Sequence, residues 1–404
     1  MNKALQKHIL ERILKKHGIE SDKVDLEAEI DSNLTLRENI DNILKKCGIS
    51  VNDHEIDKEI ENAKYDELLD EYMKQNGIDI DQINQIQDEI KEEQKIHLEQ
   101  MRQNFAEIVV IDPLALSKFV ASELAGEQYE FVRKAVLLCI CSEDRSSKRG
   151  RIHVLIHGPP GCGKTEILLW LRRVVGAYFV NAEYASKIGL AGDARGIEVT
   201  PGALAEAHGG IIAIDELDKM NHKDQSALLQ AMEEGAYTIV KGKHRVRFDA
   251  EVRVVATAND ISKIQKPLLD RFDFIIQLNN LSKDERAKNV GKLVDQFFLE
   301  DKRVDDYIIR EYLTWLSDAP TPQLEDPNTT KKLLEDYIKL TQSDITEKSV
   351  RSLELSIMRI ANTLARMAKT NVTPMHVLRA ITLKDRGLSD TQIRYLTAIA
   401  KKML

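Results

Sequence analysis

Ile152-His153-Val154-Leu155-Ile156-His157 runs into Gly158-Pro159-Pro160-Gly161-Cys162-Gly163-Lys164-Thr165-Glu166, and this stretch decides the reading of the chain. The first six residues are a short β-branched run closed by a glycine, the pattern of a buried strand. The helical segment Glu166–Val175 follows. Between them stands G-x-x-x-x-G-K-[ST] in the strand-to-helix setting that a P-loop requires. A plain glycine-rich turn has no need of that setting. Successive backbone N–H groups and the helix N-terminus cradle phosphates. In this reading Lys164 reaches the β- and γ-phosphates and the Thr165 hydroxyl holds Mg²⁺. Residues Gly158 to Glu166 are therefore the predicted ATP-binding segment.

Downstream, Gly209-Gly-Ile-Ile-Ala-Ile214 is a second buried run, and it ends in Asp215-Glu216. A strand parallel to the P-loop strand presents Asp215 beside Thr165, where it holds Mg²⁺ through water. Glu216 then suits the general base that activates the attacking water. A third run, Val252–Ala258, ends at Asn259. A polar amide at that edge orients the lytic water; taken alone it reads equally as a turn residue. Strands alternating with helices, with the polar residues at their C-terminal ends, predict an α/β fold with a parallel sheet flanked by helices.

Composition narrows the class. The 404 residues carry 58 Lys+Arg against 66 Asp+Glu, with 31% charged and 43% hydrophobic residues, a balance typical of globular chains. Apolar stretches such as Ala135–Cys141 fall far short of the ~20 residues of a membrane helix. The first residues hold no signal-peptide run. Four cysteines without a C-x₂-C pair make neither a zinc site nor a disulfide scaffold. A soluble, cytoplasmic protein is expected.

The charge is uneven. Residues 1–105 hold 25 acidic and 15 basic side chains, whereas the remainder is net +2. No proline precedes Pro113, and Gly18, Gly48 and Gly77 recur at spacings of 30 and 29, each followed by isoleucine. The pattern is an amphipathic helix ending in cations near its negative C-terminus, then a left-handed glycine and an isoleucine packing back. Residues 1–105 thus read as an all-α region of about three helix-Gly-Ile-helix repeats. It serves either to dock a protein partner or only to pack on itself.

The order of motifs resembles an AAA+ ATPase, and within that superfamily the minichromosome maintenance (MCM) helicases. The resemblance covers about 107–385. It is carried by Ser122–Gly126 with Lys134, by Ile214–Met220, by Pro267-Leu-Leu-Asp-Arg271-Phe-Asp273, and by Ser349–Glu354 with Arg359 and Ala365–Met367. It implies an arginine finger at Arg271, reaching a neighbour's ATP, and a second γ-phosphate sensor at Arg351 on a helical lid. Gly189–Val199 stands where that clade carries a helix-2 insert, though it is too short for a full strand-helix-strand. Tyr237–Ala250 stands where it carries a hairpin before Asn259. In a hexameric ring such hairpins line the pore, which makes Lys241, Lys243 and Arg245 candidate DNA contacts. Without the resemblance, that tip reads as a solvated turn.

Departures are also plain. The acidic repeat is expected to stand in place of the family's oligonucleotide-binding and zinc modules, the P-loop carries Gly163 before Lys164 and Thr165 after it where MCM proteins usually have alanine and serine, and the segment after the lid is expected to be too short for a winged helix. Ala227–Glu234 also resembles MoxR-type and magnesium-chelatase AAA+ proteins. The expected organisation is repeats over 1–105, a nucleotide-binding core over 106–280 and a helical lid over 281–404. The expected function is an ATPase ring, a homo-hexamer, that binds, moves along or remodels DNA in replication. The alternatives are a protein-remodelling ATPase, or an ATP-gated scaffold whose repeats recruit a partner.

Overall fold

The computed structural model describes residues 7, 10–11, 36–46 and 80–402, apart from 125, 145–148, 184–186, 194–199, 242–243, 299–302 and 342–349. The repeat glycines Gly18, Gly48 and Gly77 and the hairpin residue Lys243 lie outside the described residues. The chain divides into two compact units, 1–98 and 99–404. In the first, α1 (Leu36–Lys46) has Glu38 in its first turn and Lys45 and Lys46 in its last, matching the helix dipole at both ends. Its Ile40, Ile43 and Leu44 are buried. Helix α2 spans Ile80–Ile111.

In the second unit α3 (Gln128–Cys141) leads to β1 (Val154–His157), α4 (Lys164–Val175) and β2 (Tyr178–Asn181). The short pieces α5 (Lys187–Leu190), β3 (Gly192–Asp193), β4 (Thr200–Pro201) and α6 (Ala203–Glu206) follow, and then β5 (Ile211–Asp215). Next come α7 (His222–Glu234), β6 (Ala236–Lys241), β7 (His244–Asp249), β8 (Arg253–Ala258), α8 (Lys266–Leu269) and β9 (Phe274–Gln277). Beyond these the described elements are helical: α9 (Lys283–Phe298), α10 (Arg303–Leu316), α11 (Pro327–Thr341), α12 (Val350–Met367), α13 (Pro374–Lys384) and α14 (Asp390–Ala400).

The five-stranded sheet has the order β2-β5-β8-β1-β9, and every pairing is parallel. Both faces are covered, which is why β1, β5 and β8 read as continuous Val/Ile/Leu/Ala runs rather than alternating ones. On one side, α3, α4 and the later helices share a core containing Trp170, Tyr312 and Tyr337. On the other, Leu204, Leu228, Met232 and Tyr237 pack against Ile212, Ile214 and Val254. The strand β2 had not stood out in the sequence: Tyr178 is exposed at the sheet edge and only Val180 is buried.

Local chemistry sets the helix ends. Helix α4 stops at Gly176, whose φ of 70° suits a glycine cap, and the Ala177 N–H returns to the Leu171 carbonyl at 3.2 Å. Arg310 of α10 donates to the Arg173 and Val174 carbonyls at the same helix end, while the Trp170 indole donates to Asp306 at 2.9 Å. Thr373 caps α13 in a capping box with His376, with Pro374 at the first helical position. Asp326 accepts from the Thr329 N–H at 3.0 Å and its hydroxyl at 2.8 Å, so α11 starts at Pro327. Among the described residues, no helix is long and apolar enough to cross a membrane.

Candidate active site

The carboxyl ends of β1, β5 and β8 lie side by side. Their register follows from β8 pairing with both others: His157 faces Ala258, and Ile214 faces Ala256. The P-loop leaves β1 at Gly158, which has φ 154°, and a Cβ there would lie 2.2 Å from the Leu278 carbonyl oxygen. Only glycine lets the loop pass the end of β9 so closely. Gly163 enters α4 in the left-handed region at φ 72°.

The Lys164 ammonium lies in the concavity of the loop and donates to the carbonyls of Gly158 and Pro159, both at 2.8 Å. The Cys162 thiol donates to the Pro159 carbonyl at 3.0 Å, so a small polarisable group at this position closes the loop on itself. From outside, the Tyr129 hydroxyl of α3 donates to the Cys162 carbonyl at 3.0 Å. Tyr129 was missed by motif reading, although it lies between Gly126 and Lys134, inside the segment that carried the resemblance.

Asp215 ends β5 among hydroxyls. Thr165 donates to its Oδ2 at 3.0 Å, and Thr257 of β8 donates to its Oδ1. Thr257 also accepts from the Glu216 N–H at 3.1 Å, which makes it a further residue that motif reading overlooked. Glu216 stands at φ 55°, a left-handed conformation that costs a non-glycine residue energy and is characteristic of functional positions. Burial, then the neighbouring Glu183 and Asp215 carboxylates, raise its pKa above the ordinary value. The Asn259 amide reaches Glu216 Oε1 at 3.4 Å, and its backbone N–H is fixed by Asp218 at 3.0 Å. Lys164, Thr165, Asp215, Glu216 and Asn259 thus converge from three parallel strands.

The other residues singled out in the sequence lie elsewhere. Arg271 follows α8 and pairs with Glu233 at 2.8 Å. Arg351 is the second residue of α12, and its side chain lies outside the described residues. The antiparallel hairpin β6–β7 is present, with Tyr237 stacked on Phe248 and Thr238 held by Gln230. Lys241 pairs with His244 at the end of the ladder, its side chain outside the described residues, while Arg245 is exposed. The short insert is the two-residue pair β3–β4, with 194–199 between the strands outside the described residues.

The thiols Cys139 and Cys141 are fully buried, and burial pushes both pKa values up to about 12. A cavity of about 670 Å³ opens at the opposite, amino end of the strands. Its arginines are already engaged: Arg151 with Asp144, Arg366 with Glu143, and Arg253 with the Ile140 carbonyl.

A parallel sheet of this order, with a P-loop leaving the central region and a carboxylate pair ending the strand two places away, defines an AAA+-type P-loop nucleotide-binding domain. Residues 100–297 match the family model described as the MCM P-loop domain. Similar proteins include DNA replication licensing factor Mcm2 of Drosophila melanogaster, 27% identical over 70% of this chain and 37% of that protein. They also include DNA replication licensing factor MCM3 of Entamoeba histolytica, 23% identical over 73% of this chain and 60% of that protein. A third is the minichromosome maintenance protein MCM of Saccharolobus solfataricus, 27% identical over 58% of this chain and 38% of that protein. The chain carries an MCM-like AAA+ P-loop domain. The match spans 37 to 60% of the length of these relatives.

Proposed function

We propose that this protein hydrolyses ATP at the subunit interfaces of a ring, a homo-hexamer, and uses the cycle to bind and move along DNA in replication. The observation that carries the reading is the convergence of Lys164, Thr165, Asp215, Glu216 and Asn259 within one chain while Arg271 sits apart from them. The Arg271 segment meets the amino end of β1, where the Asp273 N–H donates to the His153 carbonyl at 2.9 Å, whereas the P-loop leaves the other end of that strand; a neighbour supplies the arginine.

The P-loop N–H groups and Lys164 bind and orient the phosphates. Thr165 and Asp215 offer hard oxygen donors, the set that Mg²⁺ takes together with waters and phosphate oxygens. Magnesium, when bound there, neutralises charge on the β- and γ-phosphates. Glu216 accepts the proton of the attacking water, and its raised pKa makes it a better base than an ordinary glutamate. Asn259 bonds Glu216 and orients that water. Arg271 of the adjacent subunit stabilises charge as it develops on the γ-phosphate. Arg351 follows it as a second sensor from the lid over 281–404.

The core over 106–280 and its hairpin give the DNA reading. Lys241, with Lys243 and Arg245, repeated around a ring, faces a DNA backbone with several positive charges. The acidic repeats of 1–105 are too negative for that task and recruit a protein in this soluble, cytoplasmic assembly. The test is steady-state ATPase with and without DNA across salt, for wild type and Lys241→Ala. Stimulation by DNA that falls with salt and with the substitution supports the reading. A rate indifferent to DNA but raised by a protein client contradicts it.

A further inference from the structure

We infer that Glu233 is the positioning residue of the arginine finger, holding Arg271 in the orientation in which it meets the neighbour's γ-phosphate. The inference rests on the proposal that Arg271 acts in trans. The backbone of Arg271 is restrained on both sides. Its N–H donates to the Leu268 carbonyl at 3.1 Å, its carbonyl accepts from Arg149 Nη2 at 3.0 Å, and Phe272 and Asp273 immediately after it are buried.

A fixed backbone does not fix an arginine. The side chain has four rotatable bonds and samples many rotamers unless a partner immobilises it. Among the described residues the guanidinium is held by one bond, from Nη2 to Glu233 Oε1 at 2.8 Å. Its Nε is buried and finds no hydrogen-bond partner among them. Glu233 is therefore the group that selects the rotamer, and it does so from one side of the fork.

The geometry suits a positioning role better than a storage role. A carboxylate gripping both prongs would have to be displaced before a phosphate could bind. A single-pronged contact leaves the donors at the outer end of the fork available while the bond to Glu233 persists. Glu233 is also the penultimate residue of α7, two positions before Gly235 and the hairpin, so it is supported by a helix rather than a loop. The side chains are about a third and a half exposed, at 32% for Arg271 and 52% for Glu233, as a pair presented to a neighbour must be. An ion pair this exposed contributes little to stability, which leaves orientation as its main effect.

The experiment uses the full chain and measures kcat and KM for Mg-ATP. Glu233→Gln should lower kcat roughly three- to tenfold with KM unchanged, because a misaimed group costs rate rather than ground-state binding. Glu233→Asp should fall between the two. In an Arg271→Ala background, followed by single-turnover hydrolysis, Glu233→Gln should have no further effect, since the residues act as one unit. An unchanged or raised kcat in Glu233→Gln, or an equal loss with and without Arg271, overturns the inference. If Arg271→Ala itself leaves kcat intact, the trans-finger reading fails first and the inference falls with it.

Discussion

Two buried carboxylates in this unit behave in opposite ways. Asp215, at the end of β5, is surrounded by hydroxyls: Thr165 and Thr257 donate to it, and among the described residues it makes no ion pair. Asp273, just before β9, is saturated with cations. Arg359 binds its Oδ1 at 2.6 Å, Arg149 binds Oδ2 at 3.4 Å, and Ser356 and the His153 N–H complete the shell at 2.8 and 2.9 Å. Burial alone would raise the Asp273 pKa, but Arg359 and Arg149, with His153 and Lys384, hold it far below the ordinary carboxylate range. The first carboxylate has its charge left for a ligand to neutralise. The second has been neutralised by the fold and ties together the Arg271 segment, β1 and α12. A buried acid without a cation of its own marks chemistry, and one ringed by arginines marks architecture.

The comparison breaks most visibly at Asp273. Asp273→Asn leaves Arg149 and Arg359 buried without a counter-charge and should cost about 3–5 kcal/mol of unfolding free energy by urea denaturation. Because the folded pKa is depressed, this contribution is complete above the unfolded Asp value of about 3.9 and fades as pH falls through the folded one. The gap between wild type and variant should therefore narrow in acid below about pH 4. A gap that stays constant from pH 7 to pH 3 would separate Asp273 from the network.

Asp215→Asn should do the reverse. It should lower Mg²⁺-dependent ATPase activity about 10- to 100-fold, the range for losing a group that orients a bound metal. Because no cation is left unpaired, it should move stability by less than about 1 kcal/mol. Titrating magnesium against rate, alongside a denaturation curve, reads both effects. A large loss of stability with normal magnesium dependence would make Asp215 a second architectural acid.

The same contrast explains what the sequence disclosed. Strand, glycine-rich loop, lysine and hydroxyl are contiguous, so the P-loop announces itself, and Asp215-Glu216 follows an unbroken apolar run. Thr257 was invisible because it sits inside such a run as one more β-branched residue, and only the register beside β5 brings it to Asp215. Tyr129 acts across 33 residues on a backbone carbonyl, a partner that leaves no trace in a motif. Asp273 was read as part of the segment carrying Arg271. Its partners, 83 to 124 positions away in sequence, become neighbours only when α12 packs against the sheet. Strand β2 was hidden because an exposed edge residue and one buried valine make no recognisable pattern.

The most direct test of the account mixes two inactive proteins. Lys164→Ala lacks its own P-loop lysine, and Arg271→Ala lacks the finger; each alone should hydrolyse ATP at a small fraction of the wild-type rate. If one chain supplies Lys164, Thr165, Asp215, Glu216 and Asn259 while its neighbour supplies Arg271, random mixing in equal amounts restores complete sites at about a quarter of the interfaces of a closed ring. Recovery of that order is expected. A mixture no more active than its components would contradict it.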